Sequence, residues 1–177
     1  MIMNLNLFPT LSLASASAVT EQSKRTWWRK IEQGEISRAS SETMRSTRIS
    51  LLDVTPHVQV LLTPQDLEFI LRADAGDADA QNDVGQLFLN AGKLKSAVYW
   101  LEQSARQGHP DSMQCLGRCY AAGQGVPQDS NLSLMWTDKA AALGHLIALG
   151  QLDALMSSVG NPWRKSAEKV VQRTQCR

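Results

Sequence analysis

Four cations and two adjacent tryptophans crowd into "SKRTWWRKIEQG", Ser23 to Gly34. Lys24, Arg25, Arg29 and Lys30 are side chains that bind anionic oxygens, as ammonium point charges or as guanidinium forks. As a helix, this stretch puts Trp27 and Ile31 on one face, four residues apart. Trp28 is turned about 100° from Trp27. One indole can therefore enter a core while the other lies at its edge, beside the basic residues. Three readings fit: a segment that meets a charged ligand, a solvated basic helix packed on the rest of the chain, or a membrane-surface helix. The short length, with Glu32 and Glu35, counts against the third.

Other reactive residues give weaker patterns. Cys115 and Cys119 are spaced for one helical face, but His109 is the only histidine near them and no second cysteine pair exists. Two buried thiols fit better than a metal site. Ser166 and Lys169 match Ser-x-x-Lys, without the companion motifs of penicillin-binding enzymes. No phosphate loop or Gly-x-Gly-x-x-Gly is present, and Gly123-Gln124-Gly125 belongs to a repeated turn. His109 and His145 each follow a glycine at the same place in successive units, which suits a helix start rather than catalysis. The chain is expected to be no enzyme, with no catalytic residue, metal, cofactor or small-molecule substrate.

Charge is unevenly spread along the 177 residues, whose net formal charge is +1. Seven bases against four acids give Thr20–Ser50 +3, eleven acids against six bases give Asp66–Asp153 −5, and five bases with Glu168 give Trp163–Arg177 +4. An acidic middle between basic ends suits different partners for different parts. No apolar run has the length of a membrane span, so no membrane association is expected. The opening "MIMNLNLFPTLSLASASA" has Ala-Ser-Ala triplets like those at secretory cleavage sites. It lacks a leading cation, and Asn4, Asn6 and Pro9 interrupt it. Cys115, Cys119 and Cys176 make an odd count, which favours a reducing compartment, and the chain is expected in the cytoplasm.

The elements that position these residues repeat. Ala75–Gly108 and His109–Gly144 align at Val84-Gly85 with Leu116-Gly117, Phe88 with Tyr120, Gly92 with Gly123, Trp100 with Trp136, and Ser104-Ala105 with Ala140-Ala141. The spacing is 32 from Gly76 to Gly108 and 36 from Gly108 to Gly144, and His145 opens a third unit. Apolar residues at helical intervals make each unit a helical hairpin. Gly85 and Gly117 sit inside the first helix, where glycine is costly, so a close helix–helix approach is expected there. Asp77, Asp111 and Asp129 are expected as caps or first-turn acids, and Gly108 and Gly144 as helix ends. Thr63, Pro64 and Asp66 spell a capping box for a preceding helix with Leu67, Phe69, Ile70 and Leu71. After Gly160-Asn161-Pro162, "PWRKSAEKVVQR" restarts as an amphipathic helix.

Ser112, Leu116, Gly117, Tyr120, Gly123, Gly125, Val126, Asp129, Trp136, Ala140 and Ala141 carry a resemblance to the Sel-one-like repeat family, relatives of the tetratricopeptide repeat. The resemblance covers about Ala75 to Leu155; the first unit lacks the Gly-x-Gly-Val-x-x-Asp loop. It implies a short α-α superhelix that binds a protein partner in its groove. The groove residues would be Tyr99, Trp100, Arg118, Tyr120, Trp136 and Lys139.

Ahead of the repeats, "LSLASASAV" reads as a helix, "TEQS" as a turn, and "EISRA" and "STRISLLDV" as two strands joined by "SSETMR". Ser23, Thr26, Trp27, Trp28, Arg29, Ile31 and Gly34, with Arg48-Ile49-Ser50, resemble a MerR-like or excisionase-type winged helix-turn-helix from Leu11 to about Val54, although Glu21-Gln22 replaces that family's Gly-Val turn. The resemblance implies a recognition helix capped by Ser23 and anchored by Trp27 and Ile31. Lys24, Arg25 and Thr26 would reach base edges or phosphates, Trp28 and Arg29 the backbone, and Arg38, Arg45 and Arg48 of the wing further phosphates, with Lys30 completing the basic DNA-binding surface.

The expected organisation is mainly α: a flexible start (1–10), a winged helix-turn-helix-like domain (11–58), the repeat region with its capping helix (59–155), and a basic C-terminal helix or tail (156–177). The expected function is a non-enzymatic adaptor with a protein partner in the groove, tethered to double-stranded DNA. The alternatives are a pure repeat scaffold without DNA binding and a secreted or periplasmic repeat protein.

Overall fold

The computed structural model describes residues 9–40 and 47–158. Its first element is a strand, β1 (Thr10–Ser12). Ser12 ends the strand and caps α1 (Leu13–Thr20), its hydroxyl accepting the Ser15 N–H. α1 stops where Glu21 takes a left-handed conformation, φ 56°. Ser23 then caps α2 (Lys24–Glu32), accepting the Thr26 N–H. Two strands follow, β2 (Arg38–Ser40) and β3 (Arg48–Ser50). Ser50 caps a short α3 (Leu51–Val54), which runs into a 3-10 turn at Thr55–His57.

The expected helix over "LSLASASAV" begins two residues late, because Leu11 is a strand residue paired with Ile49. The sheet therefore has three antiparallel strands, ordered β1-β3-β2, where the sequence suggested two. The strand expected over "STRISLLDV" ends at Ser50, whose hydroxyl turns to accept the Leu52 N–H and starts a helix.

The remaining helices are α4 (Pro64–Asp74), α5 (Ala78–Asn90), α6 (Leu94–Arg106), α7 (Pro110–Ala122), α8 (Ser130–Ala142) and α9 (Leu146–Ser158). α4 carries the capping box, with Thr63 and Asp66 satisfying each other's backbone N–H. α5 with α6, and α7 with α8, form the two expected hairpins, and α9 starts a third unit. Each hairpin closes on a glycine. A Cβ on Gly117 would stand 2.6 Å from Thr137 Oγ1 and 3.2 Å from the Ser133 carbonyl, and one on Gly85 2.8 Å from the Leu101 side chain. The missing side chains are what let the paired helices touch.

Consecutive units are also tied by a recurring histidine. His109 Nδ1 accepts the Ser112 N–H at the start of α7, and Nε2 lies 3.4 Å from Asp79 of the unit before. His145 repeats this one unit on: Nδ1 accepts the Ala148 N–H, and Nε2 lies 3.2 Å from Asp111.

One core joins the N-terminal elements to the array. Leu11, Trp27, Ile49 and Val54 pack in the same cluster as Ile70, Val84, Phe88 and Trp100. A second cluster, with Leu101, Leu116, Cys119, Ala140 and Ala148, fills the later units.

Candidate functional site

α2 separates its side chains as its geometry requires. Trp27 is fully buried and Ile31 partly so, while Lys24, Arg25 and Arg29 are exposed. Burying an indole of this size is worth several kcal/mol, so it fixes which face of the helix points out. Ser23, Arg25, Thr26, Trp28, Arg29 and Glu32 line a shallow recess of about 510 Å³ on that face. The Arg38 guanidinium lies 4.8 Å over the Trp28 ring, a cation–π contact that ties β2 to α2. The first turn of α2 thus places exposed cations at a helix N-terminus, a setting that favours an anion.

Two of the basic residues placed on this surface face inward instead. Lys30 donates to His57 Nε2 at 2.7 Å and sits 5.4 Å from the Trp27 ring. His57 in turn meets Trp27 edge-on at 5.5 Å, so Lys30 helps close the core. Arg48 is bound to Asp74 at 2.6 Å, and also donates to the Thr10 hydroxyl and carbonyl. Its guanidinium is occupied within the fold and does not reach outward as a wing contact would. Arg45 lies outside the described residues.

The six expected groove residues do not form one surface. Trp100 is 1% exposed and belongs to the core, so it can touch no partner. The α6 face that carries it is covered by the N-terminal elements, which the repeat register alone does not reveal. Tyr99 packs edge-on against Trp100 and lines a cleft between α1 and α6 with Ser17, Lys24 and Lys95. Burial, then the nearby Asp74 carboxylate, push its hydroxyl pKa up. Arg118, by contrast, lines a groove of about 750 Å³ between α7, α8 and α9, with Leu134, Thr137 and Leu155. Tyr120 is partly buried, and desolvation followed by Glu102 and Asp129 raises its pKa. On α8, Lys139 Nζ lies 4.7 Å over the Trp136 ring.

Leu134 and Leu155 are the groove residues that the sequence reading missed. The available signal was α9 itself, "LIALGQLDALMSS", which is apolar all round and so calls for cover on more than one side. Cys115 and Cys119 are both buried and unpaired, and burial raises both thiol pKa values. Gln86 Nε2 donates to Cys115 Sγ at 2.8 Å. Among the described residues no three His, Cys, Asp or Glu side chains gather as metal ligands, and no helix is long and apolar enough to cross a membrane.

Residues 78–109 and 110–145 match the family model described as Sel1 repeat, with α5–α6 in the first match and α7–α8 in the second. Among solved structures, a Sel1 repeat protein from Oxalobacter formigenes is 32% identical with a TM-score of 0.47, over 50% of this chain and 27% of that one. The protein c5321, described as a protective antigen present in uropathogenic Escherichia coli strains displaying an SLR fold, is 27% identical with a TM-score of 0.50, over 54% of this chain and 21% of that one. The chain thus spans about a quarter of the length of the solved proteins it matches. The repeat matches and the helical hairpins together support the Sel-one-like repeat family for the segment from Ala78 to His145.

Proposed function

We propose that this chain is a non-enzymatic adaptor whose repeat array holds a protein partner. The observation that carries this reading is the pair of consecutive Sel1 repeats, a scaffold used generally for protein interaction, folded here as two complete hairpins. Arg118 on α7 and Trp136 with Lys139 on α8 are the accessible members of the expected groove, and they offer cations and an aromatic face to an acidic or aromatic partner segment. Two buried, unpaired thiols support a reducing compartment such as the cytoplasm. The test is capture by the full chain from its native host, compared with Arg118→Glu combined with Lys139→Glu. Loss of the captured protein in the double variant supports the reading; undiminished capture overturns this surface.

A second reading adds DNA. Its support is the helix–turn–helix order of α1 and α2, with Lys24, Arg25 and Arg29 exposed on α2 and Arg38 stacked beside them on Trp28. Cations at the start of a capped helix suit phosphate contact, and the fold buries none of these three. In this reading α2 docks the adaptor on double-stranded DNA. A shift assay at low salt with the full chain tests it, and absence of any duplex binding would remove it.

A further inference from the structure

α1 and α6 do not close completely where the N-terminal elements meet the array. They leave a cleft of about 360 Å³, near the low end of the roughly 300–1,000 Å³ of small-ligand sites. Ala14, Ala18 and the Tyr99 ring give it an apolar wall. Ser17, Gln22 and Lys24 line it from the N-terminal side, Lys95 and Ser96 from α6.

Three of these residues bury an oxygen that has no hydrogen-bond partner among the described residues: Ser17 Oγ, Gln22 Oε1 and Ser96 Oγ. Ser96 as a whole is 2% exposed. A buried polar atom left unpaired costs free energy, so folded chains satisfy nearly all of them. Serines elsewhere on these helices are satisfied: Ser104 donates to the Ala78 carbonyl and Ser112 to Asn82. In this cleft the unpaired oxygens come from both sides of one seam. Helix packing gives no reason for that, whereas a ligand that supplies the partners does.

Charge says which ligand. α6 opens with no side-chain cap and no acid in its first turn, the turn that carries Lys95 and Ser96. α2 opens at Lys24, also with no acid in its first turn. Two positive helix ends and two ammonium groups thus border one cleft, against the single carboxylate of Glu21. Burial, then the Asp74 carboxylate, raise the Tyr99 pKa, so its hydroxyl remains a proton donor, and Asp74 is itself paired with Arg48 at 2.6 Å. Two ammonium groups and the hydroxyls of Ser17, Ser96 and Tyr99 make five donor groups. A carboxylate accepts at about four sites, while a phosphate brings three oxygens and nearly two charges.

We infer that the α1–α6 cleft is a small-molecule site for a phosphate monoester. Lys24 and Lys95 hold the phosphate, Ser17 and Ser96 donate to it, and the wall of Ala14, Ala18 and Tyr99 holds the esterified group. Gln22 Oε1 is left to accept from a donor on that group. Because both sides of the seam line the cleft, the ligand ties the N-terminal elements to the repeats.

The test titrates the full chain with phenyl phosphate, read by amide shifts in two-dimensional NMR, with benzoate as the carboxylate arm. Saturable shifts centred on Ser17, Lys95, Ser96 and Tyr99 are expected, and weaker binding of benzoate. Lys95→Gln and Ser96→Ala should each raise the Kd for phenyl phosphate about tenfold, the scale of one lost hydrogen bond to a charged group. Lys95 is exposed, so its variant tests the site without disturbing the core. Ser96→Ala separates binding from packing. It removes a stranded oxygen, so Tm without ligand should hold or rise. A fall in that Tm with undiminished phenyl phosphate binding overturns the proposal. So do the absence of saturable shifts at millimolar phenyl phosphate, shifts centred on Arg25 and Arg29 instead, and benzoate binding as tight as phenyl phosphate.

Discussion

Arg48 on β3 and Asp74 at the end of α4 are joined at 2.6 Å, and the Asp74 side chain is only 1% exposed. The same carboxylate accepts the Ser12 N–H of β1. A buried charge is tolerable when it is paired and hydrogen-bonded. Here the pairing crosses from the N-terminal sheet to the helix that leads into the array. With the shared core of Trp27 and Trp100 it makes these regions one packed unit. α2 is therefore held in fixed geometry to the array.

Arg48→Ala should lower stability by about 2 kcal/mol, because it strands a buried carboxylate; the partly exposed position of Arg48 keeps the loss below that of a fully buried pair. Asp74→Asn with Arg48→Met should recover part of it. Urea titrations of the two single variants and the double variant measure this. A neutral Arg48→Ala would contradict the assigned role.

The glycine contacts predict an unequal pair of helix substitutions. Alanine normally gains about 1 kcal/mol over glycine inside a helix. At Gly117 that gain is opposed by the Thr137 hydroxyl and by the Ser133 carbonyl, a backbone atom that cannot swing away. Gly117→Ala is expected to destabilise by about 1–3 kcal/mol, with part restored by Thr137→Ala. At Gly85 the Cβ would meet the Leu101 side chain at 2.8 Å and its backbone N at 3.3 Å, both slightly longer than the contacts at Gly117, so the cost should be somewhat smaller. Melting curves of the three variants check the order.

Asp77 gives the array a small acid sensitivity. The Ala80 N–H first, then the Arg72 side chain, hold its pKa below the ordinary value of 3.8. A carboxylate whose folded pKa is depressed adds stability above its unfolded pKa and loses it as pH falls through the folded value. Wild type should therefore lose stability more steeply below about pH 4 than Asp77→Asn, whose amide oxygen still caps α5 without titrating. Tm followed from pH 6 to pH 3 by circular dichroism reads the difference. Equal slopes would remove Asp77 from the acid response.

The repeat was legible because its signals are local. Glycine, tryptophan and paired small residues recur at fixed register, and the Thr63–Asp66 cap needs only neighbouring residues. What the sequence hid depended on distant partners. Arg48 turns inward toward an aspartate 26 residues away, and Lys30 toward His57, 27 residues away. β1 is three residues long and exists only through its pairing with β3. Trp100 and Trp136 share a register but differ in burial, since the first lies in the cluster shared with Leu11 and Trp27 and the second has no such cover among the described residues. Periodicity fixes a face, while tertiary packing decides what lies on it.

The inward turn of two cations sharpens what DNA binding by α2 would require. Only side chains free to reach phosphates can release counterions, so Arg25→Ala with Arg29→Ala should weaken duplex binding and reduce the salt slope by about 2. Lys30→Ala should instead lower Tm, because Lys30 closes the Trp27–His57 contact, and leave the salt slope unchanged. Binding measured by fluorescence anisotropy across several salt concentrations separates the two effects. A salt slope lost equally in all variants would point to a general charge effect and against a defined face on α2. A slope lost only with Arg25 and Arg29 would place the contact at the first turns of that helix.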